Sequence, residues 1–151
     1  MTIQSDASDL ERYLREHIPL SAAMGVRVRE ATSARVTLFA PLAPNINHRE
    51  TVFGGSAAAL AVLAAWALLH LRLAADGIPA RLVIQRCEMS YERPIPGDFT
   101  ATCELADDAG WSRFRKTLER RGRARIELSA VLMHGSRASA SFRGQFVAVR
   151  A

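Results

Sequence analysis

The sequence predicts an α+β domain in which an antiparallel sheet wraps around one long central helix. Three observations predict it. Residues 54–76 are almost wholly apolar, rich in strong helix formers and closed by Gly77 and Pro79, the pattern of a helix that must be surrounded. Four segments rich in strand formers, 81–91, 99–105, 123–133 and 137–149, follow with no second long helix among them. Strands that gather after a single long helix, instead of alternating with helices, select an antiparallel sheet packed on that helix.

The elements follow in chain order. Ser8-Asp9-Leu10-Glu11 has the form of a capping box, and Leu10, Tyr13, Leu14 and Ile18 then recur at helical spacing until Pro19. Residues 26–30 and 35–40 are strand-like around a polar break at Thr32-Ser33, which predicts a hairpin or one bent strand ended by Pro41 and Pro44. In residues 54–76 the alanines allow close approach of a sheet while Leu60, Leu63, Trp66 and Leu69 fill space. Pro94-Ile95-Pro96-Gly97 and His134-Gly135-Ser136 are turns between strands. Within the excursion 107–122, Trp111, Phe114 and Leu118 match a short helix lying on the sheet. In the last strand Ala138, Ala140, Phe142, Gly144, Phe146 and Ala148 share one face, against Arg137, Ser139, Ser141, Arg143 and Gln145.

With 151 residues, 49% of them apolar, residues 1–151 form a single domain able to bury a core, with a loose N-terminus over about residues 1–8. No signal-peptide pattern opens the chain, and Cys87 and Cys103 lack CxxC spacing within their strands. A cytoplasmic protein with two buried free thiols is expected. The run Val52–Leu69 is long enough to raise the question of a membrane span, but its alanines, its Gly-Gly-Ser start and the strands that need covering point to a buried core helix. His17, His70 and His134 show no metal-ligand spacing, so no metal is expected.

The net charge is +5 and the pI near 10.2. Arg113, Arg115, Lys116, Arg120, Arg121, Arg123 and Arg125 concentrate it, opposed only by Glu119. Such a run is either a solvated helix face and turn or a site for phosphate or an acidic protein. Without aromatic interleaving or a nucleic-acid motif, it does not indicate a nucleic-acid partner.

The stretch with most chemistry is Asn45-Ile46-Asn47-His48-Arg49-Glu50-Thr51-Val52-Phe53-Gly54-Gly55-Ser56, a polar loop opening straight into the apolar helix. The first turn of a helix has backbone N–H groups without internal partners and a partial positive charge, so it stabilises an oxyanion or a phosphate. Glycines at that turn admit a substrate close to the backbone. Gly55 is the candidate donor, Ser56 a helix cap or a catalytic group, and His48 the loop's one imidazole for general-base work or an exposed side chain. Asn45 and Asn47 either orient a substrate or satisfy the loop backbone, and Thr51 suits closing the loop. Glu88, mid-strand, is a spare carboxylate or half of a sheet-edge salt bridge, and Asp98 is placed to hold a loop.

Three stretches carry a resemblance: Asn45–Ser56 with Leu60–Trp66 after it, Tyr91-Glu-Arg-Pro-Ile-Pro-Gly-Asp98, and Ser141-Phe-Arg-Gly-Gln-Phe-Val147. Over roughly residues 10–150 the chain resembles the hotdog-fold thioesterases, and among them the YiiD C-terminal type. The resemblance implies a sheet curled around the helix, a homodimer or homotetramer with the active site at the dimer interface, and acyl-CoA or acyl-carrier-protein thioesters of fatty acid metabolism. No cofactor is implied beyond the coenzyme A or phosphopantetheine of the substrate. Related hotdog thioesterases place His-Gly-Gly at Phe53-Gly54-Gly55, where a glycine N–H polarises the thioester carbonyl, and an Asp or Glu about two turns into the helix. This chain has no carboxylate from Ser56 to Leu69, and Val62, Leu63 or a neighbour fills that place.

The expected function is acyl-thioester hydrolysis, with Asn47, His48, Gly55 and Ser56 at the carbonyl. Asn45, Thr51, Phe53, Gly54, Arg120, Arg121 and Arg123 are the expected substrate contacts. The competing readings are an acyl-CoA or acyl-carrier binding module without turnover and, lacking an Asp/His pair in the loop, less favourably an enoyl-thioester hydratase.

Overall fold

The computed structural model describes residues 3–105 and 108–151. Its elements are α1 (Ile3–His17), α2 (Pro19–Ala23), β1 (Arg27–Ala31), β2 (Arg35–Ala40), a 3-10 turn (Ala43–Asn45), α3 (Gly54–Ala75), β3 (Ala80–Tyr91), β4 (Phe99–Glu104), α4 (Asp108–Arg121), β5 (Arg123–His134) and β6 (Arg137–Arg150).

Helix α3 has 22 residues, which at 1.5 Å per residue is about 33 Å. Alanines 57, 61, 64, 65 and 67 bring its axis close to the sheet, and Leu60, Leu68 and Leu69 are fully buried between them. It is long and apolar enough to cross a membrane, with a mean hydropathy of 1.8, but much of that apolar surface is enclosed by the sheet. Its end is set by Gly77 at φ +70°, where the Ile78 N–H reaches the Leu73 carbonyl at 2.9 Å and the Gly77 N–H the Ala74 carbonyl at 3.0 Å. That left-handed turn satisfies the last carbonyls of the helix and is open to glycine at little cost.

The sheet has six strands in the order β1-β2-β4-β5-β6-β3, with every neighbouring pair antiparallel. α3 packs against β2 through β6, so the sheet wraps around it as the hotdog resemblance implies. Period-2 burial marks the inner face: Phe99, Ala101 and Cys103 on β4, and Ala140, Phe142, Gly144, Phe146 and Ala148 on β6. Ala138 is exposed and Ser139 buried at the tip of the β5–β6 hairpin, next to a register shift between Leu132 and Met133. α4 lays Trp111, Phe114 and Leu118 onto the sheet, and the Trp111 indole N–H reaches Asp76 Oδ2 at 2.8 Å, just beyond the C-terminus of α3.

Edge strand β3 behaves differently. Nearly all its residues are exposed, including Val83 and Ile84. A bulge between Ile84 and Arg86 reverses its parity, so Leu82, Ile84, Cys87, Met89 and Tyr91 all sit opposite inner-face residues of β6. Cys87 is therefore an exposed thiol, contrary to the expectation of two buried ones, because no strand covers this edge. Cys103 is buried, and desolvation, with a smaller contribution from Glu104, pushes its thiol up to about 12.

The N-terminus also departs from expectation. α1 begins at Ile3, so Ser8 lies inside the helix and does not cap it. Ala7 is buried and Met1 and Thr2 lie outside the described residues, as do Ala106 and Asp107 of the expected excursion. α1 brings two scattered histidines together: Tyr13 stacks on His17 at 4.1 Å and on His70 of α3 at 4.9 Å, and His70 stacks on Trp66 at 5.0 Å.

Half-burial of His70 against these rings lowers its pKa below 6.5 by desolvation of the imidazolium. The unfolded chain then binds the extra proton more readily, so this part of the stability is present above about pH 6.5 and lost as pH falls toward the native pKa. Denaturation midpoints at pH 7.5 and 5 are expected to differ less in His70→Phe, which keeps a ring in the stack, than in the wild type.

Candidate active site

The loop before α3 is a small closed hairpin. Ile46 and Val52 form a bridge, the Phe53 N–H reaches the Asn45 carbonyl at 2.8 Å, and the Asn47 N–H reaches the Thr51 carbonyl at 2.8 Å. Glu50 turns the chain at φ +61°. Val52 donates to the Ile95 carbonyl at 2.9 Å, which ties this hairpin to the β3–β4 connection.

Asn47 organises the tip. Its Oδ1 accepts from the Arg49 N–H at 2.8 Å and the Thr51 N–H at 3.1 Å, while its Nδ2 donates to Thr51 Oγ1 at 3.0 Å. This is an Asx turn closed by Thr51, so both polar ends of Asn47 are committed to the loop. Asn45 anchors the base: buried, it donates through Nδ2 to the carbonyls of Met24 at 2.9 Å and Pro41 at 2.8 Å. Its Oδ1 is a buried acceptor with no partner among the described residues. His48 is exposed on the tip, and its imidazole makes no hydrogen bond among the described residues.

At the helix start the capping position belongs to Phe53, and no side chain caps it. Ser56 is three residues inside and is therefore not the cap that its residue type allowed. The N–H groups of Ser56 and Ala57 bond back to the Phe53 carbonyl at 2.9 and 3.1 Å. Gly54 and Gly55, earlier still, have no carbonyl behind them within the helix. Tyr91 Oη donates to the Gly54 carbonyl at 2.8 Å. That carbonyl and the Gly55 N–H are the two ends of one peptide group, so Tyr91 fixes the plane of the donor and strengthens its dipole. Burial of the phenol, and secondarily Cys87, raises the Tyr91 pKa above 10, which keeps the hydroxyl protonated at neutral pH.

Packing gives a physical reason for the glycine pair. A Cβ on Gly55 would fall 2.4 Å from Cε2 of the Phe53 ring, and one on Gly54 would fall 3.4 Å from the Tyr91 ring. The two rings flank the donor peptide, and Phe53 remains 57% exposed beside it. A cleft of about 310 Å³ opens there, lined by Thr51, Val52, Gly54, Ala57, Tyr91 and residues 92–95. Tyr91 is the site residue that sequence reasoning left without a role, although it opens the second stretch of the resemblance.

The structure gathers Asn45, Asn47, His48, Thr51, Phe53, Gly54, Gly55 and Ser56 at one end of α3. It does not bring Arg120, Arg121 and Arg123 to them within one chain. Those arginines are exposed at the end of α4 and the start of β5. Arg123 pairs with Val149, which pairs in turn with Arg81 just past the C-terminus of α3, about 33 Å of helix from Gly55. Glu88 lies on the outer face, 2.8 Å from Arg143, whose hydrogen bond and charge lower its pKa. Asp98 does hold a loop, accepting from the Leu42 N–H at 3.0 Å.

Comparison with known proteins bears on the family and the fold. The family model "Putative thioesterase (yiiD_Cterm)" matches residues 7–150. Among solved structures, a protein of unknown function from Chlorobaculum tepidum is 30% identical over 99% of this chain and 98% of its own, with a TM-score of 0.91. The putative thioesterase from Shewanella oneidensis is 24% identical over 97% and 99%, with a TM-score of 0.85. A protein from Pseudomonas aeruginosa described as a probable thioesterase is 23% identical over 95% and 96%, with a TM-score of 0.81, and like the second it speaks for the fold alone. Since the family model spans residues 7–150, nearly the whole chain, the protein belongs to the YiiD C-terminal thioesterase family.

Proposed function

We propose that the protein hydrolyses acyl thioesters of coenzyme A or acyl carrier protein at the start of α3. The observation that carries this reading is the Gly54–Gly55 peptide, whose N–H is unpaired in the helix and whose carbonyl is held by Tyr91 at 2.8 Å. Charge develops on the carbonyl oxygen as water attacks a thioester, and an oriented N–H at a helix N-terminus stabilises that charge. Water adds to the carbonyl carbon, its proton passes to the His48 imidazole, and collapse breaks the C–S bond. His48 then returns the proton to the leaving thiolate. Asn47 acts as a positioning residue through its bonds to Thr51 and Arg49.

A homodimer completes the site in this reading. β3 is a long edge with both faces largely exposed, and such edges are normally covered. Two copies pairing through the same strand must do so antiparallel, as isologous contacts require. That pairing sets the α3 start of one protomer beside the α3 end of its partner, and the partner's Arg120, Arg121 and Arg123 then face the phosphates or acidic carrier of the bound substrate.

Three outcomes are expected. Sedimentation at micromolar concentration gives a dimer, and a monomer overturns the shared site. Arg120, Arg121 and Arg123 changed together to Gln raise KM and flatten its salt dependence. Heterodimers of that variant with Gly55→Pro recover activity through one intact site, and no recovery places the arginines outside it.

Gly55→Ala keeps the N–H and displaces the Phe53 ring, whereas Gly55→Pro deletes the donor and is checked for folding by circular dichroism. The proline variant is expected to lose about 10²–10³ in kcat, and the alanine variant less. His48→Ala is expected to fold normally and lose about 10²–10⁴ in kcat. Wild-type rates in His48→Ala remove the assigned base.

The acid-free stretch from Ser56 to Leu69 favours a second reading, an acyl-thioester binding module. Tight binding without hydrolysis across acyl-CoA and acyl-carrier substrates selects it over the first.

A further inference from the structure

α3 is not enclosed on every side. Gly55, Ala58, Ala59, Val62, Trp66 and His70 are its exposed or half-buried positions along one stripe. Facing this side of the fold, the inner face of edge strand β3 offers Tyr91, Met89, Ile84 and Leu82, themselves only partly covered. These two partly open apolar faces give a strip, or shallow trough, that begins at Gly55 and runs down the helix past small residues.

Trp66 ends it. Its indole N–H crosses from α3 to the Leu82 carbonyl of β3 at 3.3 Å. Behind the indole the stack continues, with His70 at 5.0 Å from Trp66, Tyr13 at 4.9 Å from His70 and His17 at 4.1 Å from Tyr13. This brace holds the wall in place. Beyond it lies a separate apolar cavity of about 350 Å³ lined by His70, Leu73, Ile78, Ala80 and Leu82.

We propose that Trp66 sets the longest acyl chain the protein accepts, with chains of up to about ten carbons lying in the trough between Gly55 and Trp66, an inference that rests on the thioesterase reading. The occupant follows from the two ends: a hydrogen-bond donor at the head selects a carbonyl, and apolar walls behind it select a hydrocarbon. Eleven helix positions separate Gly55 from Trp66, or roughly 16 Å at 1.5 Å per residue. Van der Waals contact with the indole takes about 4 Å of that. A zigzag of ~1.5 Å C–C bonds advances about 1.25 Å per carbon, which gives about ten carbons. Burying a methylene changes affinity about fourfold, so a chain that meets the wall stops gaining and then loses.

The test uses kcat/KM of the full-length protein on acyl-CoAs of four to eighteen carbons, read as ratios between lengths. In the wild type the ratio of the fourteen-carbon to the eight-carbon substrate is expected to be low, and Trp66→Ala, which removes the indole, is expected to raise it by about tenfold or more. Val62→Trp, placed on the open stripe where it need not disturb the core, moves the wall seven positions from Gly55. It is expected to lower the eight-carbon to four-carbon ratio by a similar factor. Either variant suffices if the other fails to fold. An unchanged length profile in a folded variant overturns the proposal, including the case where the variants instead alter dimer dissociation because a second copy occupies the stripe. A wild type that hydrolyses no thioester overturns the hydrolase reading alone. The affinities of the same acyl-CoAs, measured by calorimetry in wild type and variants, then decide the trough by the same ratios.

Discussion

The rest of the structure depends on one constraint, the enclosure of a helix that is apolar on almost every side. α3 carries no charged side chain between Gly54 and Leu71, so its surface has to be covered by other elements or by a ligand. The alanines facing the sheet allow β2, β4, β5 and β6 to approach, and the inner faces of those strands are apolar in register with it. The six-stranded sheet does not close around the helix. It runs out at β3, whose inner face meets α3 only in part, and this one incomplete flank holds the open stripe, the exposed Cys87 and the uncovered edge together.

The fold was legible because its signals are local and periodic. The run of residues 54–76 and its glycine stop are read directly from composition, and the alternation in β6 names its buried face from Ala140 to Ala148, though not at Ala138. What failed had non-local causes. Ser8 has the pattern of a capping box, yet the helix continues N-terminally past it to Ile3 and buries Ala7. Cys87 sits in a strand-like context, but whether a strand position is buried depends on its place in the sheet, which sequence periodicity does not contain. The bulge after Ile84 moves its side chain to the other face, a shift invisible without the partner strand.

At the site the same division holds. The loop and the glycine pair stand out as residues, and their contiguity guarantees that they meet at the helix start. Tyr91 is 37 positions from Gly54 and reaches its carbonyl only because β3 runs back along α3. The glycines themselves carry a second meaning that no motif reveals: the Phe53 and Tyr91 rings occupy the space that side chains at Gly55 and Gly54 would need. The basic run is the opposite case, conspicuous in sequence and yet placed at the far end of the helix from the donor. A charge cluster states what it attracts, not which surface it shares.

The missing carboxylate and the open stripe are two aspects of one arrangement. Val62, one of the residues about two turns into α3 where the hotdog resemblance implies an acid, lies half-buried on the apolar helix. An ionised carboxylate at that position would be partly desolvated among Ala58, Ala59 and Trp66 with no cation on the helix before Arg72 to offset it. It would also place a charge where a hydrocarbon chain is to lie. On the proposed reading, a trough that selects its ligand by apolar contact excludes an acid from its floor, and the groups that activate water stand at its mouth. The group proposed for that task is His48, exposed on a tip that Asn47 and Thr51 hold closed. In the proposed reading, chain recognition and proton transfer are in this way separated along the helix axis, the first assigned to the side of α3 and the second to its start.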